Sequence, residues 1–329
     1  MQPSREKKRA IRRRLMEAHR AISKVIAIYQ TPDLFSEPMD SKVARKRAVG
    51  FFPKVQTVWS DPNAFENAPH ISKGIHSVWY QGLPIDFELT RTTSDTLLVV
   101  FHGALDRDAD LPIFSGAQIT SGLDVARLSF NDPSLYLSSE LPLAWHAGNE
   151  HQPDLQSVTT RLIKKVAASV GARRIILFGS SGGGFASLIQ AAALPQATAV
   201  VANAQTNALL YHQVHVQKYL TLAWGGDRDA FIEAGGNSAV DCFRALDAIP
   251  RVLYLQNSTD TFHIRDHLIP FVRGFAANPN MSVLLGNWGQ GHIAPPKELF
   301  HRTLKAVAEK DEATIQAIGF QSATAYNLW

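Results

Sequence analysis

Two periodicities divide the 329-residue chain. Near the amino terminus Ile11, Leu15, Ala18, Ile22, Val25 and Tyr29 recur at alternating spacings of four and three. That is the heptad stripe of an amphipathic helix. Three readings stay open for it: docking on the protein's own body, self-association or pairing with a partner helix, and contact of Arg12, Arg13, Arg14, Arg20 and Lys24 with an anionic surface. Fewer than three heptads is short for a free-standing coiled coil. Residues 31–72 then lose the period; rich in Pro, Asp, Asn and Lys, with Phe51, Phe52, Trp59 and Phe65 scattered among them, they read as an irregular connector.

Beyond residue 72 short β-rich runs alternate with helical stretches. Strands are expected at 74–80, 85–90, 96–101, 125–130, 174–178, 198–202, 252–256 and 282–285, and helices at 155–170, 184–193, 263–276 and 297–309. Several strands are continuous apolar runs, such as Leu97, Leu98, Val99, Val100 and Phe101, which suits parallel strands covered on both faces. The class is therefore α/β: a mostly parallel central sheet of about eight strands flanked by helices. Residues 1–72 form an N-terminal extension, basic helix plus connector, and residues 73–329 the main domain.

Charge sharpens this division. The net charge of +4 conceals an imbalance, because residues 1–48 hold 13 Lys and Arg against 5 Asp and Glu, leaving 20 basic against 24 acidic residues in the rest. The basicity belongs to the terminal segment, so a nucleic-acid-binding body is not expected. A single cysteine, Cys242, allows no intrachain disulfide and no cysteine-rich zinc site. With neither a secretory leader nor a membrane-spanning apolar stretch in the sequence, a cytoplasmic protein without a transmembrane segment is expected.

The strongest chemical motif runs from the apolar strand 174–178 through Gly179, Ser180, Ser181, Gly182, Gly183 and Gly184 into a helix, a G-x-S-x-G turn. Such a turn lifts a serine hydroxyl above the end of a sheet only by reversing sharply, which crowds the residues two before and two after the serine. Ser181 has Gly179 and Gly183 at those places, whereas Ser180 would have Phe178, so Ser181 is the candidate nucleophile and Ser180 its neighbour. The following helix supplies free amides and a dipole that favour negative charge there. A phosphate-binding loop is the competing reading, but no Lys follows the glycines as in a Walker loop, and the dinucleotide G-x-G-x-x-G spacing is missing.

Over roughly residues 84–310 this pattern resembles the α/β-hydrolase superfamily, whose catalytic order is Ser, then Asp or Glu, then His. The resemblance implies that Asp260, after the strand ending at Gln256, is the acid, and that His292, after the last strand, is the base. Asp260 also reads as a helix cap, Asp132 is the runner-up acid, and His263 and His267 compete with His292. The oxyanion hole is expected from the amides of Gly182 and of Ala104, or neighbouring Leu105, the latter in the Phe101-His102-Gly103 segment that resembles the family's His-Gly turn. His102 is expected to shape that loop. Together with Gly103 and Trp288 it is a candidate for lining the substrate pocket, and Trp224 is a further apolar wall. The segments Asn131 to Ser134, Trp145 to Gly148 and Asn203 to Thr206 lie near the same sheet edge and read either as pocket lining or as ordinary turn formers. Residues 211–229 read either as a lid or as a packed insertion.

The resemblance thus implies a serine-dependent hydrolase that cleaves a carboxylic ester, in a small molecule or on a glycan, through an acyl-enzyme on Ser181, without a metal or organic cofactor. Two alternatives remain: an acyltransferase that passes the same acyl group to a glycan or metabolite, and a non-catalytic binding protein on the hydrolase fold. Self-association through the N-terminal helix would make a homo-oligomer.

Overall fold

The computed structural model describes residues 37–49 and 56–326. The heptad stripe, and with it the oligomer expectation, lies outside them. A compact unit runs from Lys42 to Trp329. Among its described residues ten strands form one sheet: β1 (Gln56–Trp59), β2 (Gly74–Tyr80), β3 (Leu83–Leu89), β4 (Thr96–Phe101), β5 (Ala126–Phe130), β6 (Arg174–Ser180), β7 (Thr198–Ala202), β8 (Arg251–Asn257), β9 (Met281–Gly286) and β10 (Gln321–Ser322). Their spatial order is β1-β2-β3-β5-β4-β6-β7-β8-β9-β10.

From β5 to β9 every neighbouring pair is parallel, while β2, β3 and the short edge strand β10 run antiparallel to a neighbour. β2 and β3 are joined by a two-residue hairpin. Gln81 and Gly82, at φ of 50° and 81°, give the left-handed pair that matches strand twist. The eight expected strands are all present. The stretch read as irregular departs from expectation, because it contains β1, parallel to β2, and a helix at Pro62–Asn67 capped by the Asp61 carboxylate. Neither was legible, since a four-residue strand and a six-residue helix are too short to show a period.

The apolar runs alternate between two layers. Leu97, Val99 and Phe101 join the larger cluster, which is packed by helices Leu155–Val170, Gly182–Ala193 and Gln213–Ala223; Leu98 and Val100 join a smaller one with Phe300, Leu304 and Val307. Helix Lys297–Glu309 buries Phe300, Thr303, Leu304 and Val307, the one-sided stripe expected of it. The helix expected over 263–276 is instead broken into Thr261–His263, a π turn at Ile264–Leu268 and Ile269–Val272. Pro270 lies just past the π turn, and its missing N–H removes an α-helical hydrogen bond there.

Candidate active site

All the candidate residues follow carboxyl ends of parallel strands, which places them along one edge of the sheet. Ser181 follows β6, Gly103 and Ala104 follow β4, Asp260 follows β8 and His292 follows β9. Ser181 sits at φ 56°, ψ −121° as the residue before helix Gly182–Ala193, a left-handed conformation that a side chain adopts only under constraint. The glycines make the turn feasible: a Cβ on Gly179 would strike the Gly183 carbonyl, and one on Gly183 would strike the Phe101 carbonyl.

The three polar groups meet in a line. The Ser181 hydroxyl is 3.1 Å from His292 Nε2, and His292 Nδ1–H donates to Asp260 Oδ2 at 2.6 Å. Asp260 is buried, whereas the His292 side chain is 37% exposed, so the serine is reachable from solvent. Burial alone would push the Asp260 carboxyl up, but hydrogen bonds from His263 and His292 outweigh it and hold the group well below the usual carboxylate range. A permanent carboxylate behind His292 keeps the imidazole proton on Nδ1 and leaves Nε2 free to accept.

The loop after β4 lies against Ser181. A Cβ at Gly103 would sit 3.6 Å from Ser181 Cβ and 3.8 Å from the Gly182 amide nitrogen. Leu105 donates its amide to Pro142 O, which removes it as an oxyanion donor and leaves Ala104 as the candidate. Among the described residues neither the Gly182 nor the Ala104 amide meets a protein acceptor. His102 is committed elsewhere: its Nδ1–H donates to Gly103 O at 2.7 Å, and its Nε2 accepts from the Asp132 amide at 3.1 Å. Burial lowers it to about 4, so it stays neutral and braces the loop.

Asp132, the runner-up acid, does not reach His292. Its carboxylate accepts from the amides of Ser134 and His146. Trp288 packs with the smaller apolar cluster and against Gly286, and Trp224 packs in the larger one beside Phe231. Beside Ser181, buried Leu143 and Trp145 fill the space that a side chain on Gly182 would take. Residues 211–229 are anchored in the body through Val216, Tyr219, Leu220 and Ala223. They present the Tyr211 ring at 5.8 Å from that of His263.

Two further residues enter the site: His263, a competitor of His292 in the sequence, and Gln205, from the strand-end segment that begins at Asn203. His263 is buried and donates from Nδ1 to Asp260 Oδ1 at 3.0 Å, and its ring stacks on that of His292 at 4.0 Å. Gln205, fully buried, donates from Nε2 to Ser181 Oγ and to His263 Nε2, both at 2.8 Å. The Asp-x-x-His spacing at a helix start was a usable signal for His263; Gln205 is marked only by its strand-end segment, which gives no sign of its contact with Ser181. Asp260, His263 and His292 also place one potential ligand atom each within 4.8 Å of the others. The two Asp260–histidine separations, 3.0 and 2.6 Å, are hydrogen-bond distances, and an ion would first have to displace both Nδ1 protons.

A parallel block carrying a strained serine at the turn after one strand, with a carboxylate and then a histidine after later strands, decides the architecture. The chain has the α/β-hydrolase fold. No family model matches it, and no curated protein matches its sequence. Among solved structures it is similar to the capsule O-acetyltransferase of Neisseria meningitidis serogroup A, at 14% identity over 72% of this chain and 94% of that one, with a TM-score of 0.51. A mutant of that enzyme in complex with CoA matches at 13% identity over 72% and 95%, with a TM-score of 0.51. Prolyl oligopeptidase B from Galerina marginata matches 75% of this chain and 37% of its own at 16% identity, with a TM-score of 0.49. Among the described residues of this α/β-hydrolase fold, no helix is long and apolar enough to cross a membrane.

Proposed function

We propose that this chain is a serine-dependent hydrolase that cleaves a carboxylic ester through an acyl-enzyme on Ser181. The observation that carries the reading is the hydrogen-bond line from Ser181 Oγ through His292 to a buried, ionised Asp260. Oγ attacks the acyl carbon while its proton passes to His292 Nε2, and the negative charge forming on the carbonyl oxygen falls to the Gly182 and Ala104 amides. His292 then returns the proton to the departing alcohol. Water repeats the sequence on the acyl-enzyme, releasing the acid and restoring Ser181.

A second reading passes the acyl group to an alcohol or amine on a glycan or metabolite. The exposure of His292 favours it, since an acceptor larger than water can approach the base, as does the fold likeness to a capsule O-acetyltransferase. A fluorophosphonate probe and chromogenic short-acyl esters test the nucleophile, and an added sugar or amine tests the acceptor. Labelling at Ser181, lost in Ser181→Ala together with turnover, is the expected result. Labelling elsewhere would refute the assignment, labelling with esters consumed only when an acceptor is added would establish the transferase, and neither labelling nor turnover would leave the non-catalytic binding protein.

A further inference from the structure

The hydrogen bonds around Ser181 close into a ring: Ser181 Oγ to His292, His292 to Asp260, Asp260 to His263, His263 to Gln205, and Gln205 back to Ser181 Oγ. The line required for acyl transfer uses only half of it. We infer that Gln205 and His263 are positioning residues that direct the Ser181 hydroxyl proton onto His292, an inference that rests on the acyl-enzyme reading above.

Proton counting carries the argument. The Asp260 carboxylate only accepts, so the Nδ1 atoms of His263 and His292 must both carry hydrogen. A neutral His263 then has a bare Nε2, which accepts one proton of the Gln205 amide group while Ser181 Oγ accepts the other. Both amide hydrogens are used in this way, and Gln205 Oε1 is left buried with no hydrogen-bond partner. With its lone pair engaged by Gln205, the Ser181 hydroxyl finds its acceptor in His292 Nε2.

Turning the amide over would reverse the site. Gln205 Oε1 would then face His263 Nε2, which would need a second proton, and the Ser181 hydroxyl would gain a competing acceptor away from the base. Neutrality of His263 therefore selects the productive arrangement. Its surroundings enforce that state. The ring is buried and stacks on His292, with His267 at 5.2 Å and Tyr211 at 5.8 Å between ring centres, and His212 adds further repulsion. Asp260 is the main group opposing it, with Asp266 acting from further off, and the Asp260 charge is shared with His292. When His292 becomes a cation during attack, the stacked ring is held neutral more strongly still.

The relay acts on proton direction and not on substrate contact, so its loss should separate kcat from KM. The single variants Gln205→Leu and His263→Phe, their double variant and Gln205→Glu, which offers the serine an acceptor in nearly the same volume, are compared with the full-length chain. The measurement is the acylation burst on a chromogenic acetyl ester, with urea unfolding run alongside to confirm folding. Each single variant should slow acylation by about ten- to a hundredfold with KM changed less than about twofold. The double variant should be no slower than the worse single, because both act through the one Gln205–Oγ contact. Losses that multiply in the double variant, a change confined to KM, or a Gln205→Glu enzyme that acylates normally would overturn the relay. Should a buried substitution prevent folding of Gln205→Leu or His263→Phe, the near-isosteric Gln205→Glu decides alone. A Ser181→Ala control separates the two claims: if it retains acylation the nucleophile reading fails, and if it abolishes acylation while the relay variants stay fast, the relay alone fails.

Discussion

Replacing Ser181 by Ala and by Gly isolates the strain stored at the turn. Both variants lose the hydroxyl and its contacts with His292 and Gln205, so their difference reports what a Cβ costs at φ 56°, ψ −121°. A side chain held in so sparsely populated a conformation costs about 1–3 kcal/mol. Glycine relieves that cost but loses about 0.5–1 kcal/mol through the greater freedom of its unfolded chain. The balance makes Ser181→Gly more stable than Ser181→Ala by about 1 kcal/mol, the reverse of the order at an ordinary helical position. With a urea slope of about 2–3 kcal/mol/M, its unfolding midpoint should lie about 0.3–0.5 M higher. Equilibrium urea unfolding followed by tryptophan fluorescence measures this directly. Equal midpoints, or a more stable Ala variant, would refute the claim that the fold forces Ser181 into a strained turn.

Other consequences are equally specific. Burial lowers His102 to about 4 and His146 and His267 to about 3, so the folded state refuses protons that the unfolded chain accepts below its ordinary histidine value of about 6.5. Stability should be full above about pH 6.5 and fall as pH drops towards about 3, with a shallower fall in His146→Phe, read from urea midpoints across that range. Gly183→Ala drives a methyl group into the Phe101 carbonyl; a loss of about 2–3 kcal/mol, or failure to fold, is expected from the same unfolding assay. Asp86 accepts hydrogen bonds from Arg47, Ser77 and Tyr136 in the core. Asp86→Ala strands a buried guanidinium and should cost about 3–5 kcal/mol, whereas a midpoint within error of wild type would contradict that role.

Ser181 was legible from the sequence because the constraint that singles it out is local. The clash of Gly179 with Gly183 arises within five residues, so glycine spacing alone distinguished Ser181 from Ser180. The strands were legible for a comparable reason: runs such as Leu97 to Phe101 stay apolar at every position because both sheet faces are covered. Asp260 and His292 were reached by their order after late strands, through the family resemblance, and the fold brings them within hydrogen-bond distance of each other and of Ser181. Tertiary structure alone decided the rest. Gln205 reaches Ser181 because β7 lies beside β6, and it reaches His263 because β8 lies beside β7; neither pairing leaves a mark on the residues near Gln205. Local sterics and periodicity are written into neighbouring residues. Which strand edge, ring face or carbonyl meets a side chain is set by pairings dozens of residues apart, and these exist only once the sheet has assembled.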